Sequence, residues 1–200
     1  MAAHATVAHP PAEGGESDDD VDVLRAAAAG DPEATRSLFR RHADRVFRCA
    51  VRILGHDDGD VDDVVQQTFL AALDGASSYD GRGRVGTWLV GIATRRALDH
   101  ARSRWRRGRW ARITERVGLG RPAPHPDRHD DVALAEAALG RLTPDQRTVF
   151  LLHEVEGYTF GEIREMTGTG ISTLHARLQA ARRRLDAVLP ALLSPDGDRS

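Results

Sequence analysis

The apolar residues of this chain recur at intervals of three and four, which is the spacing of amphipathic helices. The clearest case is the stretch from 171 to 192, where this spacing predicts one long final helix with a single apolar face. The apolar positions are Ile171, Leu174, Leu178, Ala181, Leu185, Val188 and Leu192. The other faces of the helix carry Ser172, Thr173, His175, Arg177, Gln179, Arg182, Arg183 and Arg184.

Two capping signals mark the helices that precede this final helix. Residues 143–146 combine a capping hydroxyl, a helix-starting proline and a reciprocating glutamine, and Thr159 with Glu162 repeats the device. The chain then turns at residues 167–170, which include two glycines. A short helix, a glycine-containing turn and an arginine-bearing second helix form the geometry of a DNA-binding helix-turn-helix. A solvated amphipathic helix in an ordinary bundle is the alternative interpretation.

Helical spacing also runs through the first half of the chain. The stretch 21–29 predicts a short helix, and the Asp31-Pro32 pair opens a longer helix that ends at Gly55. Asp60 is predicted to cap a third helix, and a fourth begins near Val85. In the second and third helices the residues expected to face inward are Leu38, Phe39, Val46, Phe47, Ala50 and Ile53, and Val61, Val64, Val65, Phe69, Leu70 and Leu73. In the fourth they are Trp88, Leu89, Ile92 and Leu98.

The segments between these helices lack an apolar stripe. Residues 1–20 are rich in Ala, Gly, Pro, His and acids, which predicts a disordered acidic tail. Residues 106–131 predict a linker, and residues 193–200 a short tail. We therefore expect an all-α protein with two helical domains joined by a flexible linker. These are the N-terminal module, residues 21–105, and the C-terminal module, residues 132–192.

Composition narrows the class of protein. Aromatic residues make up 5% of the 200 residues, and β-branched residues show little alternation, which favours a mostly helical fold. A single cysteine, Cys49, excludes a disulfide framework and a cysteine metal cluster. No apolar run approaches the ~18 to 20 residues of a membrane span, and the N-terminus has no basic segment followed by an apolar core. We expect a cytoplasmic protein.

The net charge of −2 hides a strong segregation of charge. Residues 13–22 contain six acids and no base, and residues 57–63 contain five acids. Residues 101–121 contain eight arginines against one glutamate. Such segregation indicates separate surfaces for separate partners. All 28 basic residues are arginine, which favours bidentate phosphate contacts but also fits the codon bias of a GC-rich genome.

Two ordered sets of residues resemble one family. The first set is Asp31-Pro32-Glu33-Ala34, Leu38-Phe39-Arg40-Arg41, the run from Asp60 to Leu70, Gly86-Thr87-Trp88-Leu89, Ile92-Ala93 and Ala97-Leu98-Asp99. It resembles region 2 of the extracytoplasmic-function (ECF) sigma factors. The second set is the run from Leu142 to Arg147, Val149 to Leu152, Glu156-Gly157-Tyr158, Glu162-Ile163 and Ala176-Arg177-Leu178. It resembles their region 4. The resemblance covers roughly residues 21–105 and 132–190, in the family's order.

This resemblance implies a dissociable subunit of bacterial RNA polymerase that is not an enzyme. Region 2 is then expected to bind the core enzyme and to open the minus 10 element, and region 4 to recognise the minus 35 element. The implied partners are core RNA polymerase, promoter DNA and an anti-sigma factor. No cofactor and no metal ion are expected.

The candidate site residues fall into three groups. An acidic, glutamine-rich face suits a basic helical clamp on the polymerase: Asp60, Asp62, Asp63, Gln66 and Gln67. Arginines, aromatic rings and a glycine loop suit the strands of the minus 10 element: Tyr79, Arg82, Gly83, Arg84, Trp88, Arg95, Arg96 and Arg102. The exposed face of the last helix suits the minus 35 element: Ser172, Thr173, His175, Ala176, Arg177, Gln179 and Arg183. For any one of them, a solvated polar face is the alternative.

Some positions depart from the family pattern. Arg95 stands where the family commonly has Asn, which bears on how the strands are opened. In the last helix, Gly170 replaces a common Pro and Ser172 the usual Gly. His175 and Ala176 replace a basic residue and Ser. These departures predict an unusual promoter preference.

Two further patterns suggest other functions. Residues 81–86 match G-x-G-x-x-G with Asp99 eighteen residues beyond Gly81, as in a nucleotide-dependent oxidoreductase, but no strand is predicted before them. His125, Asp127, His129 and Asp130 could ligate a metal, but they lie in a proline-rich segment without another supporting ligand. The closer alternative is a stand-alone helix-turn-helix regulator, which would bind DNA without polymerase.

Overall fold

A computed structural model describes residues 18–55, 59–81, 83–114 and 130–193. Most of the acidic tail, Arg82, and the metal candidates His125, Asp127 and His129 lie outside these ranges, as do residues 194–200. Every regular element within the described ranges is helical, which confirms the all-α prediction. The helices are α1 Asp18–Ala28, α2 Pro32–Leu54, α3 Val61–Asp74, α4 Val85–Thr114, α5 Asp130–Leu139, α6 Pro144–Phe150, α7 Phe160–Thr167 and α8 Ile171–Leu193.

The start of α2 forms as the sequence predicts. Asp31 accepts hydrogen bonds from the backbone N–H groups of Glu33, at 2.8 Å, and Ala34, at 3.4 Å, and Pro32 begins the helix. Helix α1 begins at Asp18, three residues before the predicted start. Its buried Asp20 pairs with Arg41 of α2 at 2.6 Å. The acids at the end of the tail therefore belong to the N-terminal module.

The predicted capping of α3 by the side chain of Asp60 is wrong. Asp60 occupies the N-cap position, but its side chain makes no capping hydrogen bond to the helix. Its Oδ2 atom instead lies 2.7 Å from Nε2 of His100 in α4. A tertiary contact has therefore replaced the local one, and Asp60 joins the start of α3 to α4.

Helix α4 continues to Thr114, past the arginine run where the sequence predicts a linker. Residues 106–114 contain four arginines and one alanine, which favour helix, and no proline, and they continue the helix through Gly108 without an apolar stripe. Helix α5 likewise begins at Asp130, two residues before the predicted start of the C-terminal module. The segment between the helices is accordingly shorter than residues 106–131.

Both capping boxes of the C-terminal module are present. Thr143 accepts from the backbone N–H of Gln146, and the side chain of Gln146 accepts from the backbone N–H of Thr143 at 3.1 Å. Thr159 and Glu162 make the same reciprocal pair at the start of α7. Helix α6 passes into one π-helical turn, Leu151–Val155. Gly168 ends α7 with φ of 68°, a left-handed conformation that glycine adopts without strain.

Several apolar residues predicted to face inward are exposed. The exposed fractions are 48% for Phe39, 44% for Phe47 and 54% for Leu70, and Ile171 of the final stripe is 40% exposed. Phe39 still packs on the ring of Phe69, with centroids 4.9 Å apart. Periodicity identifies the apolar positions of a helix but does not show which of them the fold leaves exposed.

The two modules share one hydrophobic core. Leu24, Val46 and Leu89 of the N-terminal module belong to the same buried cluster as Ile163 and Leu174 of the C-terminal module. Helix α4 is the element through which they meet, because it packs against both α6 and α7. At Gly91 an added Cβ would lie 3.5 Å from Cγ of Met166, so the two modules approach closely there.

Candidate functional site

The first candidate surface lies on α3. Asp62, Asp63, Gln66 and Gln67 are all exposed, and Gln67 Nε2 donates to Asp63 Oδ2 at 2.7 Å. The two aspartates lie in the first turn, where a negative charge also stabilises the helix. The fifth member of the predicted group, Asp60, is half-buried against His100.

An exposed leucine extends this surface. Leu70 lies one helical turn beyond Gln66 and Gln67, so the polar and apolar side chains share one face of α3. We call Asp62, Asp63, Gln66, Gln67 and Leu70 the α3 face. Sequence reasoning missed Leu70 because its spacing placed it in the core. The α3 face therefore combines acidic, amide and apolar side chains on one exposed surface.

The second candidate surface surrounds the loop between α3 and α4. The rings of Tyr79 and Trp88 lie 5.3 Å apart, and the Tyr79 hydroxyl donates to the backbone carbonyl of Gly83. Gly83 and Arg84 are exposed. An open cleft of about 390 Å³ adjoins this loop. It is lined by Ala71, Gly75, Ser78, Trp88, Ile92, Arg95, Arg96 and Asp99.

The two arginines of this cleft point to different neighbours. Arg96 NH1 donates to Oε1 of Gln67 at 3.0 Å, which joins the cleft to the α3 face. Arg95 NH1 donates to the backbone carbonyl of Met166, in the C-terminal module, at 2.8 Å. Partial burial lowers the pKa of Arg95 from its ordinary value. The residue that departs from the family pattern is therefore a contact between the modules.

A single carboxylate joins the other two groups of candidate arginines. Arg102 NH2 of the minus 10 group lies 2.6 Å from Asp145 Oδ1, and Arg177 NH1 of the minus 35 group lies 3.0 Å from the same oxygen. The hydrogen bond that Arg102 donates to Asp145 raises the pKa of the guanidinium. Arg177 also donates to Oγ1 of Thr169 at 3.3 Å. Sequence reasoning missed Asp145 because the capping motif gave it a local role.

Three more contacts fasten the modules together. Arg45 donates to the hydroxyl of the buried Tyr158 at 3.0 Å. Arg147 Nε donates to the backbone carbonyl of Arg52 at 2.9 Å, and Arg52 forms an ion pair with Glu156. Burial raises the pKa of the Tyr158 hydroxyl.

The third candidate surface is the start of α8. Leu174 and Leu178 are buried. Six of the seven predicted residues are exposed: Ser172, Thr173, His175, Ala176, Gln179 and Arg183. The seventh, Arg177, is half-buried because it contacts Asp145 and Thr169. The helix thus presents a small polar face to solvent beside a buried apolar one.

His175 also contacts a neighbouring aromatic ring. Its ring centroid lies 3.9 Å from that of Phe160, the first residue of α7. The ring of His153 lies 4.4 Å from the same phenylalanine. Nδ1 of His153 in turn lies 2.9 Å from the backbone carbonyl of Tyr158. No sequence signal indicated this group. His153 and Phe160 are seven residues apart, and Phe160 and His175 are fifteen residues apart, so no short motif contains either pair.

The features that suggested an enzyme are not supported by the local structure. Residues 61–81, which precede and enter the glycine loop, are helical or irregular, so the strand that a dinucleotide site requires does not occur there. Within the described ranges, no three His, Cys, Asp or Glu residues gather into a group that could hold a metal ion. In the same part of the chain, no helix is long and apolar enough to cross a membrane.

Comparisons with known proteins agree on one family. The family model of sigma-70 region 2 matches residues 38–107, and that of sigma-70 region 4 matches residues 133–185. The ECF RNA polymerase sigma factor SigM of Mycobacterium tuberculosis is 32% identical over 173 residues, which cover 85% of this chain and 84% of SigM.

Two solved complexes have a similar fold. One is CnrH in complex with the cytosolic domain of CnrY, with a TM-score of 0.58 and 28% identity, covering 86% of this chain and 97% of the other. The second is the sigma factor RpoE of Bartonella quintana in complex with the anti-sigma factor NepR. It has a TM-score of 0.57 and 25% identity, covering 78% of this chain and 96% of the other.

Proposed function

Because this chain belongs to the ECF RNA polymerase sigma factors of the sigma-70 family, we propose that its three candidate surfaces divide the work of promoter recognition. Sigma factors bind core RNA polymerase and promoter DNA, and they act in transcription initiation. The observation that carries the proposal is that region 2 and region 4 both match, in the family's order, on modules that hold separate exposed surfaces. We take the N-terminal module as α1 to α4, residues 18–114, and the C-terminal module as α5 to α8, residues 130–193, each longer than the predicted 21–105 and 132–192.

The α3 face is the proposed contact with core polymerase. Its two aspartates supply charge that complements a basic clamp, which speeds association and fixes orientation. Leu70 adds apolar area that gains free energy only when a partner covers it. Asp60 contributes by pairing with His100, which holds α3 against α4. Its side chain is only partly accessible to a partner.

Charge reversal tests this surface. Asp62→Arg with Asp63→Arg should weaken binding of purified core polymerase, because like charges would then meet, while the helical circular dichroism spectrum stays unchanged. The matched control is Asp22→Arg with Asp44→Arg, the same change in charge at two exposed helical acids of α1 and α2. Equal core affinity for the double variant and the control would contradict the assignment.

The loop and cleft beside Trp88 are the proposed minus 10 surface. Unpaired bases need an aromatic platform and close backbone approach, and phosphates need arginines. The Tyr79–Trp88 pair, the open backbone at Gly83 and the guanidiniums of Arg84 and Arg96 supply these. Arg82 is assigned by its position in the loop. Arg95 and Arg102 join this surface only when their contacts with the C-terminal module are released.

The exposed face of α8 is the proposed minus 35 surface. The residues from Ser172 to Gln179 are placed to reach base edges, and Arg183 lies one turn beyond Gln179, where arginines meet phosphate. Gln179 can pair bidentately with adenine, and Ala176 can pack on a thymine methyl, so the contacted bases should include A or T.

Transcription with purified core polymerase on a genomic library tests the function as a whole. The expected result is initiation at a defined set of promoters that requires both proteins. A stand-alone helix-turn-helix regulator would instead bind its sites without polymerase and would start no transcript. Direct sequence-specific binding by the free chain, with no effect on core polymerase, would therefore favour that alternative.

The solved complexes extend the proposal to regulation. Both similar folds occur in complexes, one of them with a protein described as an anti-sigma factor. An anti-sigma factor that covers the α3 face would block core polymerase, and we assign such a partner to this chain. The site of action is then the cytoplasm, where core polymerase and DNA are found.

A further inference from the structure

The ring of Phe160 contacts two histidine rings in the C-terminal module. His153 stacks on it with centroids 4.4 Å apart and an interplanar angle of 25°, and His175 lies against it, tilted by 36°, with centroids 3.9 Å apart. The three rings come from the π-helical turn Leu151–Val155, the start of α7 and the second turn of α8. We call these three contacting rings the stack.

One end of this stack is fixed to the module. Nδ1 of His153 lies 2.9 Å from the carbonyl of Tyr158, whose side chain is only 6% exposed. Phe160 follows Thr159, whose capping box fixes the first turn of α7. The other end, His175, is exposed on the polar face of α8. The stack therefore connects a fixed part of the module to a side chain that DNA can reach.

The contact with Phe160 limits the orientations in which the His175 ring can present its hydrogen-bonding atoms. The hydrogen-bonding atoms of an imidazole lie on the ring edge, and a neutral ring offers one donor and one acceptor. Covering one face by Phe160 leaves this edge open, whereas an unstacked side chain on a helix surface exchanges between rotamers. A side chain that is already ordered loses less entropy when it binds.

We propose that Phe160 is a positioning residue for promoter recognition. It holds the imidazole of His175 so that the ring edge donates a hydrogen bond to N7 of a purine in the minus 35 element. N7 is an acceptor that both purines present in the major groove. The inference rests on the proposed role of α8 in minus 35 recognition. It makes the specificity of His175 depend on a residue of the preceding helix.

The alternative is that the stack only stabilises the fold of the helix-turn-helix. In that case Phe160→Leu would lower the binding of all DNA sequences equally, through loss of folded protein. A positioning role predicts a loss confined to one base pair, with binding to the other positions intact. The discrimination between bases, rather than the affinity, is therefore the quantity to measure.

The experiment uses holoenzyme assembled from purified core polymerase and the full chain. The DNA is a duplex whose minus 35 element has been selected by the wild-type holoenzyme from a randomised library. Each purine of the element is replaced in turn by its 7-deaza analogue, which lacks the N7 acceptor. Wild-type holoenzyme should lose affinity about threefold to tenfold at one of these positions, the range expected for the loss of one hydrogen bond.

The variants then separate positioning from packing. His175→Ala and Phe160→Leu should both lose this penalty at the same position. The double variant should show no further loss of discrimination beyond that of His175→Ala, because the two residues act as one unit. Phe160→Tyr, which keeps the ring, should restore the wild-type penalty. The matched control is Phe150→Leu, a half-buried phenylalanine of the same module outside the stack. It should retain the wild-type penalty.

Each contrary result has one meaning. Phe160→Leu with a wild-type penalty, or with a uniform loss at every sequence, overturns the inference, and so does a selected element in which no 7-deaza purine matters. A wild-type holoenzyme that binds all minus 35 sequences alike overturns the proposed function of α8 instead.

Discussion

Replacing Asp145 by Asn should loosen the joint between the modules. The substitution keeps the shape of the side chain but removes the charge that holds Arg102 of the N-terminal module at 2.6 Å and Arg177 of the C-terminal module at 3.0 Å. The Arg102 contact crosses between the modules, whereas the Arg177 contact orders the start of α8. One substitution therefore releases Arg102 of the minus 10 group and Arg177 of the minus 35 group from the same carboxylate.

The expected loss follows from the exposure of the three side chains. They are 25% exposed at Asp145, 36% at Arg102 and 28% at Arg177, so solvent screens the gross attraction strongly. Hydrogen bonds to charged groups contribute about 1.5 to 3 kcal/mol when buried, and we discount each to about 1 kcal/mol here. Loss of a first-turn acid from α6 adds about 0.3 to 1 kcal/mol. The total is about 2 to 3 kcal/mol, or a fall in Tm of about 4 to 12 °C for a chain of this length.

Thermal unfolding at low and high salt measures this loss. The difference between wild type and Asp145→Asn should shrink as salt rises, because salt screens exposed ion pairs. The control is Asp99→Asn, which removes a 77% exposed partner of Arg102 within the same helix and should cost under about 0.5 kcal/mol. Equal effects of the two substitutions, or a Tm difference that does not change with salt, would refute the reasoning.

Three further predictions concern single residues. An added Cβ at Gly83 meets no atom within 4 Å, so Gly83→Val should fold normally and spare duplex binding. It should block strand opening, because the added side chain prevents the close backbone approach that an unpaired base needs. Permanganate footprinting of unpaired thymines detects this, and a wild-type bubble would contradict it. In a panel of minus 35 variants across a salt series, Gln179→Ala should cost about 1 to 3 kcal/mol at one base pair, whereas Arg183→Ala should weaken all sequences and lower the salt slope by about 1. The opposite pattern would reverse the two roles. Burial raises the pKa of the Cys49 thiol, so the folded state disfavours the thiolate, and stability should fall as pH rises above the unfolded value of about 8.5. Urea midpoints at pH 7 and pH 9.5 should show a smaller decline for Cys49→Ala, and equal declines would count against the assignment.

Local signals in the sequence predicted the helices well. The Asp31-Pro32 pair, the two capping boxes and the alternating apolar intervals each act within a few residues, and the structure forms all of them. The prediction for Asp60 failed because His100, forty residues away, competes for its carboxylate. The end of α4 was missed for a different reason, since helix propensity sustained it where the apolar stripe had stopped.

The candidate surfaces were only partly visible in the sequence. Exposure of the α8 residues follows from periodicity, because the apolar stripe fixes which side faces the core. Leu70 was assigned to the core because spacing cannot distinguish an inward apolar residue from one that a partner covers. Asp145 and Phe160 were missed because their importance lies in contacts with residues far along the chain, Arg102 and His175.

The shared core of the two modules sets a limit on how the chain can engage a promoter. The minus 35 and minus 10 elements are separated by about 25 base pairs, or about 85 Å of duplex at 3.4 Å per base pair. Modules in contact cannot span that length. Under the proposed function, binding both elements at once therefore requires the contacts of α4 with α6 and α7 to open. The free energy of the contacts that hold α4 against α6 and α7 then opposes the binding of both elements. The apparent affinity is lowered in proportion to the fraction of molecules in which these contacts are open.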